Sequence, residues 1–362
     1  MSEDNKKESS SGAKIDAAAS VRQGEELDMT RLGPWLSARV PGLEGEPAIT
    51  QYSGGASNWT YCLSYPNREV VLRRAPDGTK AKGAHDMGRE HRLQAALKPV
   101  YSYVPTMLAH SDNESLIGAE FYVMEKLNGL IPRRSMPKGV ELGESEVSQL
   151  CTNVVDCLIE LHQVDYQAAG LDHLAKGEGY MERQILGWNK RYQNARTWNV
   201  PRAKSVMNWL EKNMPDKEVI CLTHNDFRFD NVVLDADDPT RVIGVLDWEL
   251  ATLGDPLMDL GNSIAYWIQA DDDWFRQYMR GQPTHLKGMM TRHEVIDYYL
   301  KKMDRGTEDF RFYEVYGLFR LAGIIQQIYY RYYHKQTDNP AFKRMWLMVH
   351  YLVYRCKQIM RR

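Results

Sequence analysis

Between Cys221 and Glu249 the chain reads CLTHNDFRFDNVVLDADDPTRVIGVLDWE, which sets a histidine, two asparagines and several carboxylates among short apolar runs. Asp226 precedes Asn231 by five residues, and Asp247 follows it by sixteen. Val219–Leu222 (VICL), Asn231–Asp235 (NVVLD) and Arg241–Leu246 (RVIGVL) have the composition of short strands, and the turn formers of Ala236–Thr240 separate the last two. Folding those two strands about Pro239 brings together residues whose numbers sum to roughly 478. Asn231 and Asp247 then arrive at one end of the hairpin, beside the loop that carries Asp226. Asp235, Asp237 and Asp238 fall in the turn at the other end, where water solvates them. A carboxylate and an amide oxygen suit a hard cation such as Mg²⁺, which keeps waters and bridges substrate phosphates. The competing account is a structural hairpin whose acids merely face water.

These residues need elements to position them. A short helix is expected from about Leu27 (LDMTRLGPWLSARV), then strands at Ala48–Tyr52, Trp59–Tyr65 and Arg68–Arg73, a helix over Lys82–Leu97 and a strand at Ala119–Met124. After Gly129 the pattern turns helical. Val147, Leu150, Val154, Leu158 and Leu161 form a core-facing stripe, and Tyr180–Arg196, Ala203–Asn213, Phe310–Tyr333 and Ala341–Met360 are further helix candidates. The aromatic run Tyr329, Tyr330, Tyr332, Tyr333 reads as helix packing.

Composition narrows the function. With 46 basic against 48 acidic residues, no global basicity points to nucleic acid. Five cysteines without C-x-x-C spacing suggest neither a disulfide framework nor a zinc site, which suits a reducing cytoplasm. No apolar run reaches the roughly 18 residues of a membrane span. The first 26 residues, charged and Ser-rich, read as a flexible lead-in without a secretory h-region.

THNDFRFDNVVLD followed by GVLDWELATLGDPLMDLG resembles the aminoglycoside phosphotransferase and choline kinase-like family. Within it, the match is to the branch that also occurs as the N-terminal kinase-like domain of some acyl-CoA dehydrogenases. The resemblance runs from about Tyr52 to Trp267. It implies an α+β, bilobal protein-kinase-like fold, with a small antiparallel-sheet N-lobe over 27–126, a mainly helical C-lobe over 127–362, and ATP between them. Protein kinases divide labour at the same spacing, with a catalytic-loop Asp as base and an Asn and a later Asp on Mg²⁺. By resemblance Asp226 is the catalytic base, His224 positions its loop, and Asn231 and Asp247 hold Mg²⁺. Asp259 caps the following helix and ties the loop down.

The same resemblance places the nucleotide. SGGASNWTY (Ser53–Tyr61) lies between two strands and supplies small residues that let backbone N–H groups approach phosphate, with Ser57 and Asn58 matching the phosphate-loop pattern. In VVLRR, Val71 and Arg73 share one face and Leu72 and Arg74 the other. Arg73 stands where the fold commonly has a lysine, with Glu90 as its partner. Backbone groups at Glu125 and Leu127 would meet the adenine edge. Asn225 replaces a glycine common in the family, and asparagine tolerates left-handed backbone angles.

No A-P-E element follows Asp247, so a small-molecule acceptor is expected rather than a protein. The implied activity is ATP- and Mg²⁺-dependent transfer of the γ-phosphoryl group to a hydroxyl, on a hydroxyacyl or acyl-CoA-type acceptor in preference to an aminoglycoside. An aminoglycoside site would be strongly acidic; Asp271, Asp272 and Asp273 could supply that, but read as a solvated loop. The rivals are a nucleotide-binding pseudokinase and a metal-dependent hydrolase built on His224, Asp226 and Asp247. No nucleic-acid or membrane partner is expected.

Overall fold

The first helix, α1 (Met29–Arg39), opens where the Asp28 side chain accepts a hydrogen bond from the Thr30 amide. Leu32 and Leu36, one turn apart, are fully buried from it. The computed structural model describes residues 18–52, 58–76, 86–306 and 309–362. Against α1 lies an antiparallel sheet of β1 (Ala48–Gln51), β2 (Trp59–Ser64), β3 (Glu69–Arg74), β4 (Met107–Ser111) and β5 (Phe121–Glu125), in the order β1-β2-β3-β5-β4. Alternation along the strands splits their side chains between two clusters. Leu63, Val70, Leu72, Phe121 and Val123 pack with Leu32 and Leu36, whereas Val71, Tyr122 and Met124 pack with Met87 of helix α2 (Met87–Leu97).

The strands expected from sequence are present with shifts of a residue or two. β4 was not foreseen: it is a short strand at the sheet edge, irregular between Met107 and Ala109, and it pairs only with β5. Helix α2 begins after Asp86, whose side chain caps the Arg89 amide, and the start expected at Lys82 lies outside the described residues.

Beyond the sheet come β6 (Gly129–Leu130), α3 (Glu144–His162), α4 (Tyr180–Asn194), α5 (Lys204–Lys212), β7 (Cys221–Thr223), β8 (Val232–Asp235), β9 (Val242–Val245) and β10 (Thr252–Gly254). Helices α6 (Pro256–Tyr266), α7 (Trp274–Met279), α8 (Arg292–Lys302), α9 (Arg311–Tyr333) and α10 (Met345–Ile359) complete the helical lobe. β6, β8 and β9 form one small sheet, and β7 pairs with β10 in another. The strand expected at Val219–Leu222 thus joins β10, which was also not foreseen. Helix α9 is the spine. α6 crosses it so closely that a Cβ on Gly317 would sit 2.0 Å from the Gly261 carbonyl oxygen, so this crossing needs glycine there. Tyr329 is buried and receives a hydrogen bond from Asn199, as packing predicts, while Tyr333 is exposed. The large core reaches Leu93 and Leu97 of α2, so this helix couples the sheet to the helical lobe. All five cysteines are buried and free. Among the described residues no helix is long and apolar enough to cross a membrane.

Candidate active site

The hairpin forms within a residue of the expected register, pairing Val232 with Val245 and Val233 with Gly244. At its open end the Leu246 amide donates to the Asn231 carbonyl at 2.8 Å, which fixes Asp247 beside Asn231. Asn231 Nδ2 donates to the Asp226 carbonyl at 2.8 Å and to Asp226 Oδ2 at 3.2 Å. With the amide nitrogen so engaged, the amide oxygen is the atom left for a cation. Asp247 has φ 68°, a left-handed conformation that Asp and Asn tolerate better than most residues. The turn acids sit apart, where Asp235 accepts from the Asp237 and Asp238 amides.

The loop bearing Asp226 hangs from one buried carboxylate. Asp259 Oδ2 accepts from the His224 amide at 2.7 Å and Oδ1 from the Asn225 amide at 2.8 Å, and His162 Nε2 lies 3.1 Å from Oδ2. Asp259 therefore ties the loop as expected, but it does not cap α6. Asp255 does, by accepting from the Leu257 and Met258 amides. His224 is fully buried, and its Nδ1 accepts from the Asp226 amide at 3.2 Å. Its Nε2 therefore carries the hydrogen donated to the Leu246 carbonyl at 3.0 Å. The ring bridges the Asp226 loop to the end of β9. Asn225 takes φ 64°, and its side chain bonds Thr223 Oγ1 at 2.9 Å and receives the Tyr180 hydroxyl at 3.2 Å, contacts no glycine could make.

Burial opposes the Asp259 charge, but His162 and the loop amides hold its carboxyl below the ordinary range. A depressed folded pKa gives stability that is full above the unfolded value and lost as pH falls through the folded one. Asp259→Asn is expected to cost about 3–5 kcal/mol at neutral pH, the cost of breaking a buried charged pair. The gap to wild type should narrow below about pH 4, where the native carboxylate protonates. Denaturant unfolding across that range checks it, and a gap independent of pH would deny the charge this role.

Of the two arginines on β3, Arg73 enters the cleft. Its Nη1 donates to Glu90 Oε1 at 2.7 Å, and its Nη2 lies 3.4 Å from Asp247 Oδ1. Arg74 instead stacks on Trp59 at 4.8 Å and donates to the Ile117 carbonyl. Burial works against the Arg73 charge, but Glu90 and Asp247 outweigh it and hold its pKa above the ordinary value. Arg73 Nε is buried with no hydrogen-bond partner among the described residues. Asn58 Nδ2 donates to Glu249 Oε2 at 3.3 Å, two residues beyond Asp247, and Ser57 lies outside the described residues.

The hinge needs a refinement. The Glu125 amide N–H already donates to the Thr106 carbonyl at 2.9 Å, so it is not a donor for a nucleobase. Leu127 lies on β9 where a Cβ at Gly244 would come within 2.1 Å of its Cδ1. Val71, Met124, Leu127, Val233 and Leu246 give the cleft apolar walls, and Arg73, Asn231 and Asp247 line it with them.

Sequence reasoning missed three residues. Arg228 Nε lies 3.2 Å from Asp226 Oδ1, and its guanidinium stacks on Tyr266 at 4.7 Å. Arg89 reaches from α2 to the carbonyls of Glu249 and Ala251. Glu249 meets Asn58. The D-x-R and D-W-E spacings were the available signals for Arg228 and Glu249; Arg89 had none.

On the far side of Asp226 opens a cavity of about 1200 Å³. Arg89, Lys176, Arg183, Arg191, Arg228 and Arg320 border it, as do Leu321, Ile324, Ile325 and Ile328. Asp271–Asp273 do not. Asp271 and Asp273 are exposed as expected, the latter also capping α7, but Asp272 is turned inward into ion pairs with Arg276 and Arg292.

The profile of the phosphotransferase enzyme family matches residues 48–290. Acyl-CoA dehydrogenase family member 11 of Rattus norvegicus is 35% identical over 317 residues, covering 84% of this chain and 40% of that protein. The chain thus spans about two fifths of the length of this relative. A presumed aminoglycoside phosphotransferase from Ralstonia eutropha superposes with a TM-score of 0.77 at 30% identity, covering 92% of this chain and 99% of that one. Choline kinase from Cryptosporidium parvum shares the fold, with a TM-score of 0.62 at 13% identity over 91% of this chain and 96% of its own.

Proposed function

Because this chain belongs to the phosphotransferase enzyme family, we propose that it moves the γ-phosphoryl group of ATP, with Mg²⁺, to a hydroxyl on an anionic small molecule. One observation carries the reading. Asp226 lines the large basic cavity, while Asn231, bonded to it, and Asp247 line the apolar-walled cleft. A single carboxylate thus stands between a nucleotide compartment and an acceptor compartment.

The donor set fits both ligands. Asn231 and Asp247 offer oxygen only, as Mg²⁺ requires, and Arg73, held by Glu90, lines the same cleft as a cation that can pair with phosphate oxygens. Bound Mg²⁺ would neutralise charge developing on the phosphoryl oxygens. Asp226 accepts the acceptor hydroxyl's proton on a carboxylate oxygen as that hydroxyl's oxygen attacks phosphorus and ADP leaves. Arg228 and Asn231 fix the carboxylate's orientation, and His224 fixes the loop. Glu90 orients Arg73 toward the phosphates. Positioning of this kind supplies most of the catalysis in phosphoryl transfer.

Charge and shape support this acceptor class: six basic side chains border the cavity against the carboxylates of Asp86, Asp226 and Glu249. A polycationic aminoglycoside would meet like charge at Arg89, Lys176, Arg183, Arg191 and Arg320. A hydroxyacyl chain, free or as its CoA thioester, would set its anionic groups against them and its aliphatic part on Leu321, Ile324 and Ile325.

The test is ADP release with ATP and Mg²⁺ across hydroxyacyl-CoAs, free hydroxy acids and aminoglycosides. Turnover restricted to the acyl acceptors is expected. Turnover on an aminoglycoside would replace the acceptor and keep the transfer. ATP binding without ADP from any acceptor would mark a pseudokinase, and metal affinity without nucleotide affinity would favour the hydrolase.

A further inference from the structure

α6, α8, α9 and α10 border another open cavity, of about 1040 Å³, in the helical lobe. Of its lining residues only Ala265 also borders the acceptor cavity. Five arginines line it, and three of them, Arg276 of α7, Arg292 of α8 and Arg355 of α10, come together on one wall, apart from Arg311 and Arg362, which pair with Asp309 and Glu314. Asp272 lies behind them and is fully engaged. Its Oδ1 takes Arg276 Nη1 at 2.7 Å and Arg292 Nη2 at 2.9 Å, and its Oδ2 takes Arg292 Nη1 at 2.6 Å. Asp273 caps α7 and accepts the Tyr351 hydroxyl.

Arg355 is left over. Its Nη1 donates to the neutral Gln358 at 2.9 Å, and its Nε is buried without a hydrogen-bond partner among the described residues. Burial and the like charges of Arg276 and Arg292 push its pKa below the ordinary value. Of the four carboxylates on the rim, Asp309 pairs with Arg311 and Glu314 with Arg362, while Asp297 and Asp304 stand at the edge away from Arg355's own hydrogen bonds. The floor is aliphatic: Ile264, Ile296, Leu300, Leu318 and Ile359. A positive wall on which Arg355 has no ion-pair partner among the described residues, above an aliphatic floor, has the complementarity of an amphipathic anion.

We propose that this cavity is a second ligand site, distinct from the acceptor cavity, for an organic anion with an aliphatic body. The anionic head binds Arg355 and Arg292, and the body lies over Ile264, Ile296 and Leu318. The site stands on these residues alone and does not depend on the phosphotransfer reading. Because Arg355 sits among like charges, the free protein carries it at a cost that an anion removes.

The experiment is calorimetric titration and thermal unfolding of the full chain with octanoate, with 1-octanol and inorganic phosphate as comparison probes. Octanoate is expected to bind and to raise the unfolding midpoint more than either comparison probe. Arg355→Gln is expected to raise the midpoint of the free protein, by removing the repulsion, and to weaken octanoate about tenfold, the loss of one charged hydrogen bond. Arg183→Gln, in the proposed acceptor cavity, should leave the Arg355-dependent part of octanoate binding unchanged. The proposal is overturned if octanoate does not bind, or if Arg355→Gln lowers the free midpoint and spares affinity. It is equally overturned if Arg183→Gln is the change that abolishes binding. Stabilisation by phosphate equal to that by octanoate would reduce the site to a bare anion hole and overturn the aliphatic assignment.

Discussion

Asp247→Asn is expected to abolish the stabilisation that ATP confers in the presence of Mg²⁺ while leaving the chain folded. A ligand that binds only the folded state adds about 2.7 kcal/mol at 100 times its Kd, a shift that thermal unfolding reads easily. The substitution removes one charge and one oxygen and little else. Alanine would be a poorer test, because φ is 68° at this position and a left-handed backbone costs alanine roughly 1–2 kcal/mol where asparagine tolerates it. Arg73 loses its 3.4 Å contact in the variant but keeps Glu90 at 2.7 Å, so the phosphate side of the cleft should persist. Nucleotide binding that no longer responds to Mg²⁺ would support the proposed metal role. Stabilisation equal to wild type would take Asp247 out of it.

The second large effect is expected at Asp226. Asp226→Asn should lower kcat by about 10²–10⁴-fold, the range for removing a positioned general base. ATP affinity should stay near wild type, because Asp226 borders the proposed acceptor cavity and not the proposed nucleotide cleft. Asparagine retains an oxygen for the Asn231 amide, so the loop keeps its tie to the hairpin. Arg228 loses a partner 3.2 Å away but keeps Asp230 at the same distance. A loss confined to KM would make Asp226 a binding residue instead, and an unchanged rate would remove it from the chemistry. Steady-state kinetics beside an ATP titration separates these outcomes.

How much of this was legible in the sequence depends on how local the causes are. The hairpin that unites Asn231 with Asp247 follows from two apolar runs and a turn, because ladder pairing propagates from the turn outward. The stripe of α3 follows from helical periodicity over about four turns. The left-handed Asn225 was anticipated because it stands where the family commonly has glycine, and asparagine tolerates that backbone. β4 and β10 escaped, since strands of three to five residues carry too little pattern and exist only because distant partners complete them.

The same limit governed the site. That Arg73 and not Arg74 enters the cleft was decided by Trp59, whose ring holds Arg74, and by Glu90 of α2, whose carboxylate takes Arg73. Asp255 and Asp259 lie four residues apart in similar sequence. Only the packing of α6 on the Asp226 loop makes one a helix cap and the other the loop's anchor. Asp272 looked solvated until arginines from α7 and α8 closed on it. Residue types and their spacing determined which chemistry this chain could support. The tertiary structure decided which charges meet, because a guanidinium's partner is chosen by burial and proximity among residues that may stand more than a hundred positions apart.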